Sequence, residues 1–359
     1  MDLSRPEGQA AVQRLVPLFD VVLINYRAGV PAKMGIDYAT LRPINPRLIY
    51  ASITGFGESG PYARRAGSDI VAQAYSGLMA AEAKVDDFGA PAPITSTTII
   101  DRSSGLAAAM GICAALYHRE RTGEGQEIQV SLLHTALELQ SDRVMREPVH
   151  DAVLRDPLVN ELLEKRAAGA KYDELANIRK AQGPRFASHR LYYGGYHTAE
   201  GALVLGALTQ QNRDTIRRII DIHDPTDDRD FNAIAPGSKE LVEEWRLRIQ
   251  ERLMQRPAAE WVELFLDAGV PASVVQFAEE LADDPQVVAT GMMAELEHEA
   301  TGPQRVVAPI VRMSATPPEA ELPAPVLGRH SREVLREAGF SEGEITALVA
   351  GTVIGTPDR

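Results

Sequence analysis

Apolar and polar positions along the first 150 residues follow two rhythms: short β-branched runs, and longer stretches at helical spacing. Strands are predicted in DVVLINY (20–26) and RLIYASIT (47–54), with a short helix in YATLRPI (38–44) between them. A glycine-rich loop (55–60) leads to a helix in SDIVAQAYSGLMAAEA (68–83), and the β-branched run ITSTTII (94–100) reads as a further strand. A long helix over 102–121 stops at Thr122-Gly123-Glu124-Gly125, and QEIQVSLL (126–133) restarts as a strand that passes into a helix by Ala136. Strand, crossover helix and strand in repetition predict a parallel α/β sheet.

Beyond this region the pattern changes. Residues 146–185 are charged and helix-prone with weak periodicity, as expected of a connecting arm. RLYYGGYHT (190–198) and ALVLGAL (202–208) flank the turn Ala199-Glu200-Gly201 and read as a hairpin, followed by helices around 211–221, 238–252 and 258–268. From Pro303, PQRVVAPIVRMSATPP reads as a strand with a proline-rich exit, and the tail from Ser331 as two short helices split at Gly339. The organisation expected is a large domain over 1–145, an arm over 146–185, a small α+β domain over 186–308 and a segment over 309–359 returning to the large domain.

Composition narrows the function. The chain has 359 residues, 45% hydrophobic and 24% charged, enough for two domains with a sizeable core. With 37 Lys+Arg against 50 Asp+Glu the net charge is -13, which disfavours broad binding to nucleic acid or an anionic membrane and still permits a small anionic ligand held by local cations. The single cysteine, Cys113, excludes an internal disulfide and a multi-thiolate metal site. No signal-peptide pattern opens the chain, and the longest apolar run, 106–117, falls short of the roughly 20 residues of a membrane span, so the expected location is the cytoplasm.

Residues 55–60 match G-x-G-x-x-G, but Pro61-Tyr62 and Arg64-Arg65 intervene before any helical pattern, whereas a dinucleotide fingerprint opens directly into its helix. Asp101 lies between a predicted strand and a long apolar helix, and two readings stand side by side. It is an N-cap, a role that aspartate fills well, or it is a carboxylate nucleophile toward an activated acyl group, at the strand end where α/β sheets bind ligands. Ser68-Asp69 most simply caps the helix that follows it. Lys33 is a surface charge or a phosphate contact. His134 has no Cys/His partners at ligand spacing, and neither H-E-x-x-H nor G-x-S-x-G is present.

Taken together, INYRAGVPAKMGIDYATLRPINPRLIYASITGFGESGPYARRAGSDIVAQAYSGLM (24–79), the segment ending at Asp101, and ERTGEGQEIQVSLLHTAL (120–137) closely resemble the family III CoA-transferases, which include formyl-CoA transferase, carnitine CoA-transferase and the α-methylacyl-CoA racemases. The resemblance continues through YHTAEGALVLGAL, VPASVVQFAEELADDPQVVATGMM and LGRHSREVLREAGFSEGEITAL, and so spans nearly the whole chain. It implies a Rossmann-like large domain with a parallel sheet plus a smaller α+β domain, in an interlocked homodimer. It implies an acyl-CoA:carboxylate CoA-transferase in which Asp101 forms a mixed anhydride and then an aspartyl-CoA thioester. Asn25, Tyr26, Arg27, Lys33, Gly67 and Ser68 would contact CoA, with Asp69 in an auxiliary acid-base or positioning role. CoA thioester and carboxylic acid are substrates, and no permanent cofactor or metal is implied.

Two departures accompany the resemblance. Racemases of the family carry histidine where this chain has Ser68, so the isomerase alternative lacks one of its two acid-base groups. Family members also begin with about 70 more residues, including a strand and helix of the large domain. An inactive subunit lacking that part is therefore a third expectation.

Overall fold

The structure, a computed structural model, describes residues 1–82, 84–181, 191–228, 230–232, 235 and 237–357. Ala83, at the end of one predicted helix, Arg190, at the start of the predicted hairpin, and the expected 185/186 boundary lie outside the described residues. The chain divides into two compact units. Unit 1 comprises Met1–Lys180, His298–Gly302 and Pro323–Arg359, and unit 2 comprises Ala181–Glu297 and Pro303–Leu322.

Unit 1 is built on three parallel strands, β1 (Val21–Ile24), β2 (Ile49–Thr54) and β3 (Glu127–Ser131), in the order β1-β2-β3. Ile24 pairs with Ser52, and Thr54 with Ser131, so all three strands end on the same side. Strand β2 is the buried centre, with Ile49, Tyr50 and Ala51 inaccessible to solvent, as expected of a strand covered on both faces. One face carries Tyr50 with Leu41, Leu48, Ile36 and Val16. Against β2 and β3 lies the long helix α3 (Ile99–Thr122), which follows α1 (Pro6–Leu15) and α2 (Asp69–Ser76) and precedes α4 (Leu132–Glu138). Helix α3 stops at Gly123, which takes the left-handed conformation with φ 79°. At 24 residues it is long and apolar enough to meet the length and composition of a membrane span, which the apolar run 106–117 alone does not; its buried side, Ile100, Ser104, Ala108 and Ala115, instead covers the sheet.

Helices α5 (Asp156–Ala167) and α6 (Tyr172–Ala181) occupy the charged stretch. The tail forms two more, Ser331–Glu337 and Glu342–Ala350, tied to α1 by the Arg14–Glu344 ion pair at 2.9 Å and by Arg14 over the Phe340 ring at 3.9 Å.

Unit 2 has an antiparallel sheet of β4 (Tyr193–His197), β5 (Ala202–Gly206) and the short β6 (Ala272–Val274), in the order β4-β5-β6. Its core gathers Tyr192, Leu203 and Leu205 with Ile216, Ile249, Trp261 and Phe265 from the helices Gln210–Ile220, Ser238–Leu253 and Ala258–Asp267. A two-stranded sheet, β7 (Met293–His298) with β8 (Gly302–Val307), contains the strand predicted from Pro303.

One predicted element is absent. ITSTTII forms no strand: 92–98 is irregular and helix begins at Ile99. The β-branched composition is overridden because Ile94 spends both its backbone groups on the side chain of Gln73 instead of on a ladder. The helix predicted over 68–83 is also interrupted, at Gly77 with φ 84°.

Candidate active site

The three parallel strands release their chains at one edge, where open α/β sheets bind ligands. From β1 emerge Asn25, Tyr26 and Arg27, all exposed, followed by a helical turn, Val30–Lys33, with Lys33 exposed at its end. Strand β2 runs into a loop over 55–67 whose two ends meet. A Cβ on Gly55 would stand 2.8 Å from the Gly67 Cα, so only glycine permits this approach. Leu133 N–H donates to the Gly55 carbonyl at 3.1 Å, which ties the same point to the start of α4. Within the loop, Phe56 and Tyr62 pack edge to face with each other and with Tyr75 of α2, and the Arg65 guanidinium lies 3.6 Å over the Tyr62 ring. No helix opens on this glycine run; the next begins at Asp69, which agrees with the sequence argument against a dinucleotide turn.

Because Gly67 is fixed against Gly55, exposed Ser68 and buried Asp69 follow at a defined place. Ser68 is the N-cap residue of α2 by position, but its side chain makes no cap hydrogen bond. The Asp69 carboxylate bridges its own helix and the start of α3. Its Oδ2 accepts from the backbone N–H of Ile100 at 2.8 Å and of Asp101 at 3.1 Å, and its Oδ1 accepts from Gln73 Nε2. The apolar cluster of Ala72, Leu78, Ile100, Leu132 and Ala136, joined by Ile94 and Ile99, encloses this exchange.

Asp101 thus differs from its sequence-based description. It neither ends a strand nor caps the helix: Thr98 is the N-cap residue and Asp101 is the third residue of the first turn. Its side chain is exposed while its backbone is held. Burial, and then the charge of Asp69, raise its pKa above the ordinary 3.8. The positive end of the helix acts in the opposite sense, favouring a carboxylate in the first turn. The result is an accessible carboxylate whose negative charge is incompletely compensated, a fit description of a carboxylate nucleophile.

The residues of this edge lie in a chain that matches the family model for CoA-transferase family III over residues 1–331. It belongs to CoA-transferase family III. The succinate–glutarate CoA-transferase of Agrobacterium fabrum is 35% identical over 94% of this chain and 76% of its own length. Mouse succinyl-CoA:glutarate CoA-transferase is 30% identical over 99% of this chain and 74% of its own. The formyl-CoA:oxalate CoA-transferase of Rhodopseudomonas palustris is 27% identical, over 100% and 82%. Among solved structures, a CAIB/BAIF family protein from Brucella suis superposes with a TM-score of 0.65 at 25% identity, covering 94% of this chain and 80% of that one. Rv3272 from Mycobacterium tuberculosis shares the fold with a TM-score of 0.70 at 23% identity, over 92% and 81%.

CoA-transferases of this family take CoA thioesters and carboxylates as substrates. In this family III chain the edge brings Gly67, Ser68, Asp69 and Asp101 together, the last two through a hydrogen bond. Asn25, Tyr26 and Arg27 leave the same edge from the neighbouring strand, and Lys33 stands further along on its own helical turn. Sequence reasoning missed Gln73. Its signal was a polar residue four positions after Asp69, hence on the same face of a helix whose other inward residues are apolar. Among the described residues no cluster of metal-binding side chains occurs.

Proposed function

We propose that the chain transfers CoA from an acyl-CoA to a carboxylic acid through covalent intermediates on Asp101. The observation that carries this is the exposed Asp101 carboxylate on a backbone held by Asp69 at the ligand-binding edge. In the first step an Asp101 oxygen attacks the thioester carbonyl, the C–S bond breaks, and CoA leaves as thiolate from a mixed anhydride. The thiolate then attacks the Asp101 carbonyl carbon, which releases the donor acid and leaves an aspartyl-CoA thioester. The acceptor carboxylate attacks that thioester, and the thiolate it expels takes the acceptor acyl group, which restores Asp101. Backbone N–H groups near the glycine loop are suited to the oxyanion of each step.

In this reading the Rossmann-like sheet of unit 1 holds CoA. Arg27 and Lys33 supply charge for phosphate, Asn25 and Tyr26 line the nucleotide end, and Gly67-Ser68 border the pantetheine. The relatives named for succinate, glutarate, formate and oxalate support short acids as donor and acceptor. Serine at position 68 offers no imidazole, which speaks against racemisation of an acyl group. The interlocked homodimer and the cytoplasmic location belong to the same proposal.

Intact-mass spectrometry with peptide mapping, after mixing the chain with succinyl-CoA and other acyl-CoAs, tests it. A CoA-sized adduct on the Asp101 peptide, absent in Asp101→Ala, is the expected result; no adduct with any donor would overturn the assignment.

A further inference from the structure

We infer that Gln73 and Asp69 act as one positioning pair for Asp101: Gln73 orients the Asp69 carboxylate, and Asp69 fixes the first turn of α3. The inference rests on the reading of Asp101 as nucleophile and replaces an acid-base role for Asp69. Only 7% of Asp69 is exposed, and both its oxygens already face protein donors. A carboxylate so buried, with both oxygens turned to protein donors, faces the helix starts and not the open edge where substrate would lie.

The orientation of Gln73 follows from its neighbours. It is 1% exposed, and Ile94 N–H donates to its Oε1 at 2.9 Å, so the other end must be the amide nitrogen. That nitrogen donates to the Ile94 carbonyl at 3.1 Å and to Asp69 Oδ1. One amide therefore joins α2, the irregular approach 92–98 and, through Asp69, the start of α3.

The first turn of α3 needs this help. The opening N–H groups of a helix have no partner within it, and the N-cap Thr98 supplies no side-chain acceptor. The first intrahelical bond runs from Arg102 N–H to the Thr98 carbonyl. Asp69 thus supplies, from 31 and 32 residues away, the cap that the local sequence omits. With its amide held, Asp101 retains freedom only in its side chain, and the nucleophile is placed before substrate arrives.

Amide hydrogen exchange of the full chain tests the inference. In Gln73→Leu, and in Gln73→Glu, which keeps the shape and the acceptor for Ile94 but cannot donate to Asp69 when ionised, exchange at Ile100 and Asp101 should accelerate about 10-fold or more, while amides over 108–115 keep wild-type rates. The rate of CoA attachment to Asp101 from succinyl-CoA should fall about 10-fold, with CoA affinity within about twofold of wild type. The double variant Asp69→Asn/Gln73→Leu should be no slower than its slower parent, because the two side chains act in series. Unchanged exchange at Ile100 and Asp101 in a folded Gln73 variant overturns the pair. Accelerated exchange with an unchanged attachment rate overturns its positioning role. Absence of attachment in the wild type is the separate failure of Asp101 as nucleophile.

Discussion

Asp69 in unit 1 and Asp224 in unit 2 are equally hidden, each with 7% of its surface exposed, yet opposite kinds of partner receive them. Asp69 is held by two backbone N–H groups and a neutral amide, with no cation within ion-pair distance among the described residues. Asp224 meets the Arg217 guanidinium two-pronged, Nε at 2.7 Å and Nη2 at 3.3 Å, and also accepts from Thr226 and from the Tyr192 hydroxyl. Burial alone raises a carboxyl pKa, but around Asp224 these hydrogen bonds more than offset it and hold the group at about 2. Around Asp101 the balance runs the other way: burial first, and then the charge of Asp69, raise its pKa. A fold that needs only stability neutralises a buried carboxylate, whereas one that needs reactivity nearby leaves its field in place.

The largest break in this comparison is Arg217→Met. It strands Asp224 without its cation and should cost about 3–5 kcal/mol, read as a lower urea midpoint. Chemical attachment of CoA to Asp101, measured on the folded fraction, should be unchanged. A loss below about 1 kcal/mol would show that the Asp224 network is weakly coupled to folding.

Acid provides the second test. The folded pKa of Asp224, about 2, is depressed below the ordinary 3.8, so its contribution is present above pH 4 and is lost as pH falls toward 2. The amount is on the order of 2 kcal/mol. Urea melts at successive pH values should lose that much over this window, and Asp224→Asn should flatten the slope.

The smallest effect on stability and the most telling on chemistry is Asp69→Asn. Removing one carboxylate acceptor at a helix start should cost about 1 kcal/mol. Asp101 attacks only when ionised, and its pKa is raised first by burial and then by Asp69, so the attachment rate falls with decreasing pH at a point above the ordinary 3.8. Without the Asp69 charge that fall should begin at lower pH. An unmoved acid limb would mean that Asp69 does not act on Asp101 through its charge.

Much of this was legible in the chain. Strands β1 and β2 announced themselves as short apolar runs, β3 by the alternation of Ile128 and Val130 with polar residues, and the three long helices named in unit 2 by apolar faces at regular spacing. Ala272–Val274 escaped notice because three residues hold no period, and ITSTTII misled because composition cannot show that a distant glutamine takes its backbone groups. Asp101 and Asp69 could be named from the resemblance, but their relation could not. It depends on hydrogen bonds between residues more than 30 positions apart, and on Gly55 touching Gly67, contacts that exist only after folding.

That glycine contact also bears on the loop it closes. With its two ends meeting at one point, the span 56–66 is a closed loop, and lengthening such a loop twofold costs only about 0.6 kcal/mol. Changes in length between residues 56 and 66 leave the Gly55–Gly67 contact, and with it the start of α2 that carries Asp69, where they are. The length of the loop and the placement of the Asp69 carboxylate are thereby uncoupled, at two residues that have no side chains.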